Sequence, residues 1–222
     1  MSFVINTTKE VGEVADFVST SILKQLDANK KVLFFVTGGS SIAVCIKISE
    51  ILKNHTHNNL TIMLTDERYG PIHHSDSNWG KLIQGGFDLP GAKLIPILDG
   101  SDHTLTTKKF NENLEREFKN AEYKIGLFGI GADGHTAGIL PESVAVDCSD
   151  LACGYDSAVF SRITMSFNAI EKLDEAIAFV QGENKWEVIK DLQNKNIDLI
   201  KQPAQILKKV PLLTIFTDYK FN

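Results

Sequence analysis

"KVLFFVTGGSSIAVCIKISEILKNHTHNNLTIMLTDER", residues 31–68, carries the signal that sets the fold. Val32–Val36 is apolar at every position, as a strand buried on both faces requires, and it stops at glycines and hydroxyls. "SIAVCIKISEIL" then places its apolar residues at helical spacing, and "LTIML" is a second buried run that ends in Asp66-Glu67-Arg68. A strand, a crossover helix and another strand form the unit from which parallel sheets are built.

The alternation extends in both directions. Upstream, Val11, Val14, Ala15, Val18, Ile22 and Leu26 recur at helical spacing, which predicts a helix over Lys9–Asn29. Downstream come "AKLIPIL", the helical "TLTTKKFNENLEREFKN", the strand "YKIGLFGIG", then "EAIAFVQG", the helical "NKWEVIKDLQ" and a last strand "PLLTIFTD". The prediction is one α/β domain over residues 1–222: a mostly parallel, doubly wound, Rossmann-like sheet with helices on both faces. The least regular stretch is "PESVAVDCSDLACGYDSAVFS". In such sheets ligands bind beyond the carboxyl ends of the strands. The loops "TGGSS", "TDERYG" and "GIGADGHT" are therefore expected to share one crevice.

Composition narrows the function classes. With 222 residues, 43% of them hydrophobic, the chain can bury a sizeable core. A net charge of -5 leaves no general basic face for a nucleic-acid backbone. No apolar run approaches the roughly 20 residues that cross a bilayer, and "MSFVINTTKE" has no basic start or apolar core of a signal peptide. Three cysteines, Cys45, Cys148 and Cys153, without a paired spacing predict reduced thiols. A cytoplasmic protein without nucleic-acid or membrane partners is the expectation. His55, His57, His73 and His74 show no ligand spacing and are read as surface histidines.

Each loop has a chemical reading and a plainer one. Thr37-Gly38-Gly39-Ser40-Ser41 joins a strand to a helix, so its free N–H groups and the helix dipole suit an anion, although a capped turn has the same composition. It lacks the lysine of a nucleoside-triphosphate loop. Asp66-Glu67-Arg68 places charges at the end of a buried strand, where Arg68 can grip phosphate and Asp66 a proton or a hydroxyl. A solvated ion pair is the alternative. Ser75 or Ser77, with Asn78, before Trp79, Leu82 and Ile83 reads as a helix start. Lys185 opens a later helix and Arg162 an apolar run, and either is open to an anion-binding or a surface role.

"GIGADGHTAGILP", residues 129–141, satisfies the glycine spacing of a dinucleotide loop through Gly129, Gly131 and Gly134. That loop needs a full helix after its third glycine, and Gly138 and Pro141 leave no room for one. The stretch reads better as a tight turn presenting Asp133 and His135, with His135 as a proton acceptor.

Taken in order, "TGGSS", "TDERYGPIHHSDSNWG", "LFGIGADGHTAGILP", "SRITMSFNAIEKLDEAIAFVQGENKW" and "PAQILKK…TIFTD" resemble the 6-phosphogluconolactonases, within the glucosamine-6-phosphate isomerase/deaminase superfamily. The resemblance runs from about residue 32 to the C-terminus. Lactonases have Asp-Glu-Arg, Ser-Asn and Asp-Gly-His-Thr-Ala-Ser-Leu-Phe-Pro; deaminases have Asp-Glu-Tyr, Ser-Tyr and Asp-Gly-His-Ile-Ala-Phe-Asn-Glu-Pro. Arg68, Ser77-Asn78 and Thr136-Ala137-Gly138-Ile139-Leu140-Pro141 follow the lactonase pattern except at Gly138, which matches neither. Two further departures are Ile42, where the family has a proline after the hydroxyls, and a short 142–161 segment without the family's proline-rich approach to Arg162-Ile163-Thr164.

The resemblance implies hydrolysis of 6-phospho-D-glucono-1,5-lactone to 6-phospho-D-gluconate, a step of the oxidative pentose phosphate pathway. His135 would be the general base, with Asp133 or a nearby backbone group orienting its ring. Asp66 and Asn78 would face sugar hydroxyls or hold Arg68. Gly38, Gly39, Ser40, Arg68, Lys185 and Arg162 would hold the phosphate, and backbone N–H groups of the glycine turn the oxyanion. Asp66, Asp133 and His135 are donor types that a metal takes, but nothing in their spacing fixes a ligand geometry, and neither metal nor cofactor is expected. The protein would be a monomer or homodimer. The competing readings are a glucosamine-6-phosphate deaminase or isomerase, and a sugar-phosphate sensor without turnover.

Overall fold

The computed structural model describes residues 3–55 and 57–220; Met1 and Ser2 of the stretch read above for a leader lie outside them. Its centre is a seven-stranded sheet built from β1 (Val4–Thr7), β2 (Val32–Val36), β3 (Leu60–Leu64), β5 (Lys93–Ile95), β6 (Tyr123–Phe128), β9 (Glu175–Val180) and β10 (Leu212–Thr217). The strand order is β1-β10-β9-β6-β2-β3-β5, and every pair is parallel. Around it lie α1 (Val11–Asp27), α2 (Ile42–Leu52), α3 (Asn78–Gln84), α4 (His103–Asn120), the single turn α5 (Phe167–Ile170) and α6 (Trp186–Asn194).

The apolar runs of the sequence became the buried strands. All five residues of β2 and all six of β9 are buried, as parallel strands covered on both faces must be. The large side chains among them each contribute about 1.5–3 kcal/mol by leaving water. The helix expected over Lys9–Asn29 forms with both ends trimmed, and it buries Val14, Ala15, Val18 and Ile22.

The order also locates the ligand crevice. From β2 the chain winds outward through β3 to β5, then crosses back to β6 on the other side of β2. The loops after β2 and β6 therefore leave neighbouring strands at the point where winding reverses, which is where open α/β sheets bind ligands.

A second sheet was not foreseen. β4 (Asp66–Arg68), β8 (Ser161–Met165) and β7 (Ala152–Asp156) form an antiparallel sheet in the order β4-β8-β7. "DER", read as a loop, is thus a strand, and the irregular stretch before Arg162 supplies another. The edge strand β1 was likewise unpredicted. His57 corrects the surface reading of the four histidines: it is 2% exposed, and burial pushes its imidazole down from the ordinary range. All three cysteines are free thiols. Among the described residues no helix is long and apolar enough to cross a membrane.

Candidate active site

A cavity of about 350 Å³ opens at the carboxyl ends of β2, β3 and β6. Gly38, Gly39, Ser40, Asp66, Arg68, Asn78, His135, Arg162 and Lys185 all line it. Asp133, the remaining candidate side chain of the catalytic and phosphate-binding set, is not part of the wall and is bonded to His135 instead. Chain segments far apart in the sequence thus converge on one space.

The turn after β6 is shaped around that pair. No helix follows Gly134; Ile130 and Thr136 form a bridge, as do Thr136 and Ile139, and the chain folds back on itself. His135 Nδ1 lies 2.6 Å from Asp133 Oδ1. The imidazole holds the Asp133 carboxyl below its usual range, against partial burial that acts the other way. A Cβ on Gly131 would overlap both the His135 ring and the Asp133 carboxylate, so this glycine makes room for the dyad and not for a pyrophosphate. Gly138 has φ +75°, and a Cβ there would come within 2.8 Å of Asp66 Oδ2. Its departure from both family patterns therefore suits the local backbone.

The chain around Asp66-Glu67-Arg68 shows what the sequence reading missed. Side chains alternate along a strand, so Asp66 and Arg68 share the cavity face while Glu67 points inward. Glu67 is fully buried. Its carboxylate accepts hydrogen bonds from the backbone N–H of Arg68 (2.8 Å), Asn78 (2.5 Å) and Trp79 (2.9 Å) and from Ser77 Oγ (2.9 Å). Burial raises its carboxyl, and those four bonds oppose the rise. It ties β4 to the N-terminus of α3, which Ser77 caps by accepting from Gly80 N. Asn78 Nδ2 donates to the Asp66 carbonyl at 3.0 Å, and a Cβ on Gly38 would collide with the Asn78 amide. The signal for Glu67 was the two-residue period of a strand, hidden while "DER" was read as a loop.

Neither Asp66 nor Asn78 holds Arg68, contrary to one option above. Thr65 Oγ1 donates to Asp66, while Arg68 Nη1 donates to the Asp76 carbonyl at 3.1 Å and Arg68 Nε is buried without a partner among the described residues. Gly39–Ser41 forms a short 3-10 turn leading into α2, and Ser41 makes no side-chain cap. Lys185 ends a similar turn before α6; burial pushes its ammonium below the usual lysine range, partly offset by Asp218. Among the described residues Arg68, Arg162 and Lys185 form no ion pair, so three cations against Asp66 leave the cavity suited to an anion. Nor do any three His, Cys, Asp or Glu side chains among the described residues converge as metal ligands.

The family model described as glucosamine-6-phosphate isomerases/6-phosphogluconolactonase matches residues 6–214. The chain belongs to this family. A 6-phosphogluconolactonase of Helicobacter pylori is 30% identical over 189 residues, covering 79% of each chain. One from Haemophilus influenzae is 26% identical over 188 residues, covering 81% of each. The crystal structure of 6-phosphogluconolactonase from Thermotoga maritima superposes with a TM-score of 0.83 at 19% identity, over 97% of this chain and 99% of that one. The family's α/β architecture thus extends over nearly the whole described chain.

Proposed function

We propose that this protein hydrolyses 6-phospho-D-glucono-1,5-lactone to 6-phospho-D-gluconate, with His135 as general base. The observation that carries the reading is the Asp133–His135 pair at the edge of a cationic cavity. With Nδ1–H donated to Asp133, the lone pair on Nε2 is free to take a proton. Nε2 has no hydrogen-bond partner among the described residues.

Water, deprotonated by Nε2, adds to the lactone carbonyl and gives a tetrahedral oxyanion. The oxyanion collapses with cleavage of the bond to the ring oxygen, which takes the proton back from the imidazolium. The products are a free hydroxyl and a carboxylic acid, which gives up its remaining water-derived proton to solvent and becomes the carboxylate. The N–H groups of Gly131 and Gly134 are occupied within the turn, donating to the carbonyls of His135 and Gly131. Those of Ala132, Ala137 and Gly138, at residues lining the cavity, form no hydrogen bond among the described residues, and they are the oxyanion donors in this scheme. The phosphate sits at the N-terminal turn of α2 with Gly38, Gly39 and Ser40, held by Arg68, Arg162 and Lys185. Asp66 and Asn78 take sugar hydroxyls; the buried, unpartnered Asn78 Oδ1 is a ready acceptor. Every step uses groups of this chain, and the scheme needs no metal or cofactor.

Arg68 and Asn78, where the deaminase pattern has tyrosines, favour lactone over glucosamine 6-phosphate. Incubating the purified protein with each substrate separates the two. Lactone hydrolysis above the spontaneous rate is expected; ammonia release from glucosamine 6-phosphate would overturn the reading.

A further inference from the structure

Arg68 and Arg162 are directly opposed across the antiparallel pair β4–β8. Like charges in that position repel, and no carboxylate forms an ion pair with either among the described residues. What lies beside them is Phe160. Its ring centre is 5.2 Å from the Arg68 guanidinium carbon and 5.5 Å from that of Arg162. Both distances fall within the range where an aromatic face attracts a cation.

The hairpin between β7 and β8 fixes this ring. Ser157 N and Ser157 Oγ both donate to the Phe160 carbonyl, at 2.9 and 2.7 Å, and Arg162 Nε donates to the same Ser157 Oγ at 3.3 Å. One serine therefore sets the positions of both the ring and a guanidinium. Phe160 lies outside the cavity wall, whereas both arginines are part of it. The hairpin also lies in the short 142–161 segment, which has no proline before Arg162-Ile163-Thr164.

We propose that Phe160 is a positioning residue: its ring backs Arg68 and Arg162 together and holds two mutually repelling guanidiniums aimed at one dianionic phosphate. The ring does not touch substrate. It acts by restricting two long side chains before the ligand arrives, so that less rotamer freedom is lost on binding. The inference rests on the phosphate site proposed above.

The test compares wild type with Phe160→Leu, Phe160→Tyr, Arg68→Ala and Arg162→Ala. The readouts are calorimetric binding of 6-phosphogluconate and kinetics on the phosphorylated lactone and on unphosphorylated glucono-1,5-lactone. Phe160→Leu is expected to raise Kd and KM by about fivefold with kcat moved less than about twofold. Phe160→Tyr, which keeps the aromatic face, restores near wild-type values, and kcat/KM on the unphosphorylated lactone stays unchanged in both. If Phe160→Leu binds 6-phosphogluconate as wild type does while the arginine variants bind it worse, the positioning role is overturned and the phosphate site stands. Equal losses on both lactones also overturn it, as a general disturbance of the fold. Arginine variants that bind as wild type does overturn the phosphate site, and the inference with it.

Discussion

Asp133 Oδ1 lies 2.6 Å from His135 Nδ1 and also accepts the His135 backbone N–H at 3.2 Å. Two bonds to one oxygen fix both the ring's orientation and its tautomer. His135→Ala is therefore expected to lower kcat by about 10²–10⁴-fold with little change in KM. Asp133→Asn retains a side chain of the same shape but can no longer hold the tautomer as an anion, and a smaller loss in kcat, about tenfold or more, is expected. Steady-state rates corrected for spontaneous lactone opening check both. Equal activity of His135→Ala and wild type would remove the base.

Gly131 is the steric counterpart of that pair. Gly131→Ala puts a methyl group into the space of the imidazole and the carboxylate, so the dyad must separate. Its kcat is expected to fall within about tenfold of the His135→Ala value, while 6-phosphogluconate still binds, since the proposed phosphate site is built from other loops. Wild-type kcat in Gly131→Ala would show that the dyad geometry does not matter.

The strands that hold these groups were legible because they are extreme. A five-residue run such as Val32–Val36, buried at every position, has few other interpretations. The cavity residues were legible from loop chemistry at strand ends, since charges after "LTIML" and glycines after "KVLFFV" and "YKIGLF" need solvent or a ligand. β4 was not, because three consecutive charged residues carry no apolar alternation, and their strand exists only through pairing with β8. Glu67 was hidden for the same reason: a carboxylate is called inward only when four donors are known to surround it. Among the described residues β1 pairs only with β10 at the sheet's edge, where partial exposure leaves a weak hydrophobic pattern. Phe160 gave no signal in the sequence, because its two arginine neighbours come from strands far apart in the chain.

Glu67→Ala tests the buried anchor. It leaves the N–H groups of Arg68, Asn78 and Trp79 and the Ser77 hydroxyl without their acceptor, at an expected cost of about 2–4 kcal/mol in urea unfolding. The raised carboxyl sets the sign of the pH dependence. The folded state keeps this proton to higher pH than the unfolded chain, so Glu67's contribution falls as pH climbs from the ordinary carboxylate range through the raised value. The stability gap between wild type and variant is therefore widest below that window and narrows across it. A gap that widened with pH would contradict the assignment.

Lys185 in the proposed phosphate site predicts an alkaline pH dependence. Burial lowers its ammonium, so in the free protein its charge is lost at lower pH than that of an ordinary lysine. Affinity for 6-phosphogluconate should accordingly weaken as pH approaches the lysine range, whereas Lys185→Arg, charged throughout, gives a flat profile there. Calorimetric titrations at several alkaline pH values distinguish the two. A wild-type Kd independent of pH would exclude Lys185 from the phosphate site.

The most direct test of the central claim is the rate of 6-phospho-D-glucono-1,5-lactone hydrolysis by wild type and His135→Ala at neutral pH, with ammonia release from glucosamine 6-phosphate measured in parallel. Lactone hydrolysis far above the spontaneous rate in wild type, its collapse in His135→Ala and no ammonia are the results the account predicts. Ammonia release, or lactone turnover untouched by the loss of His135, would contradict it.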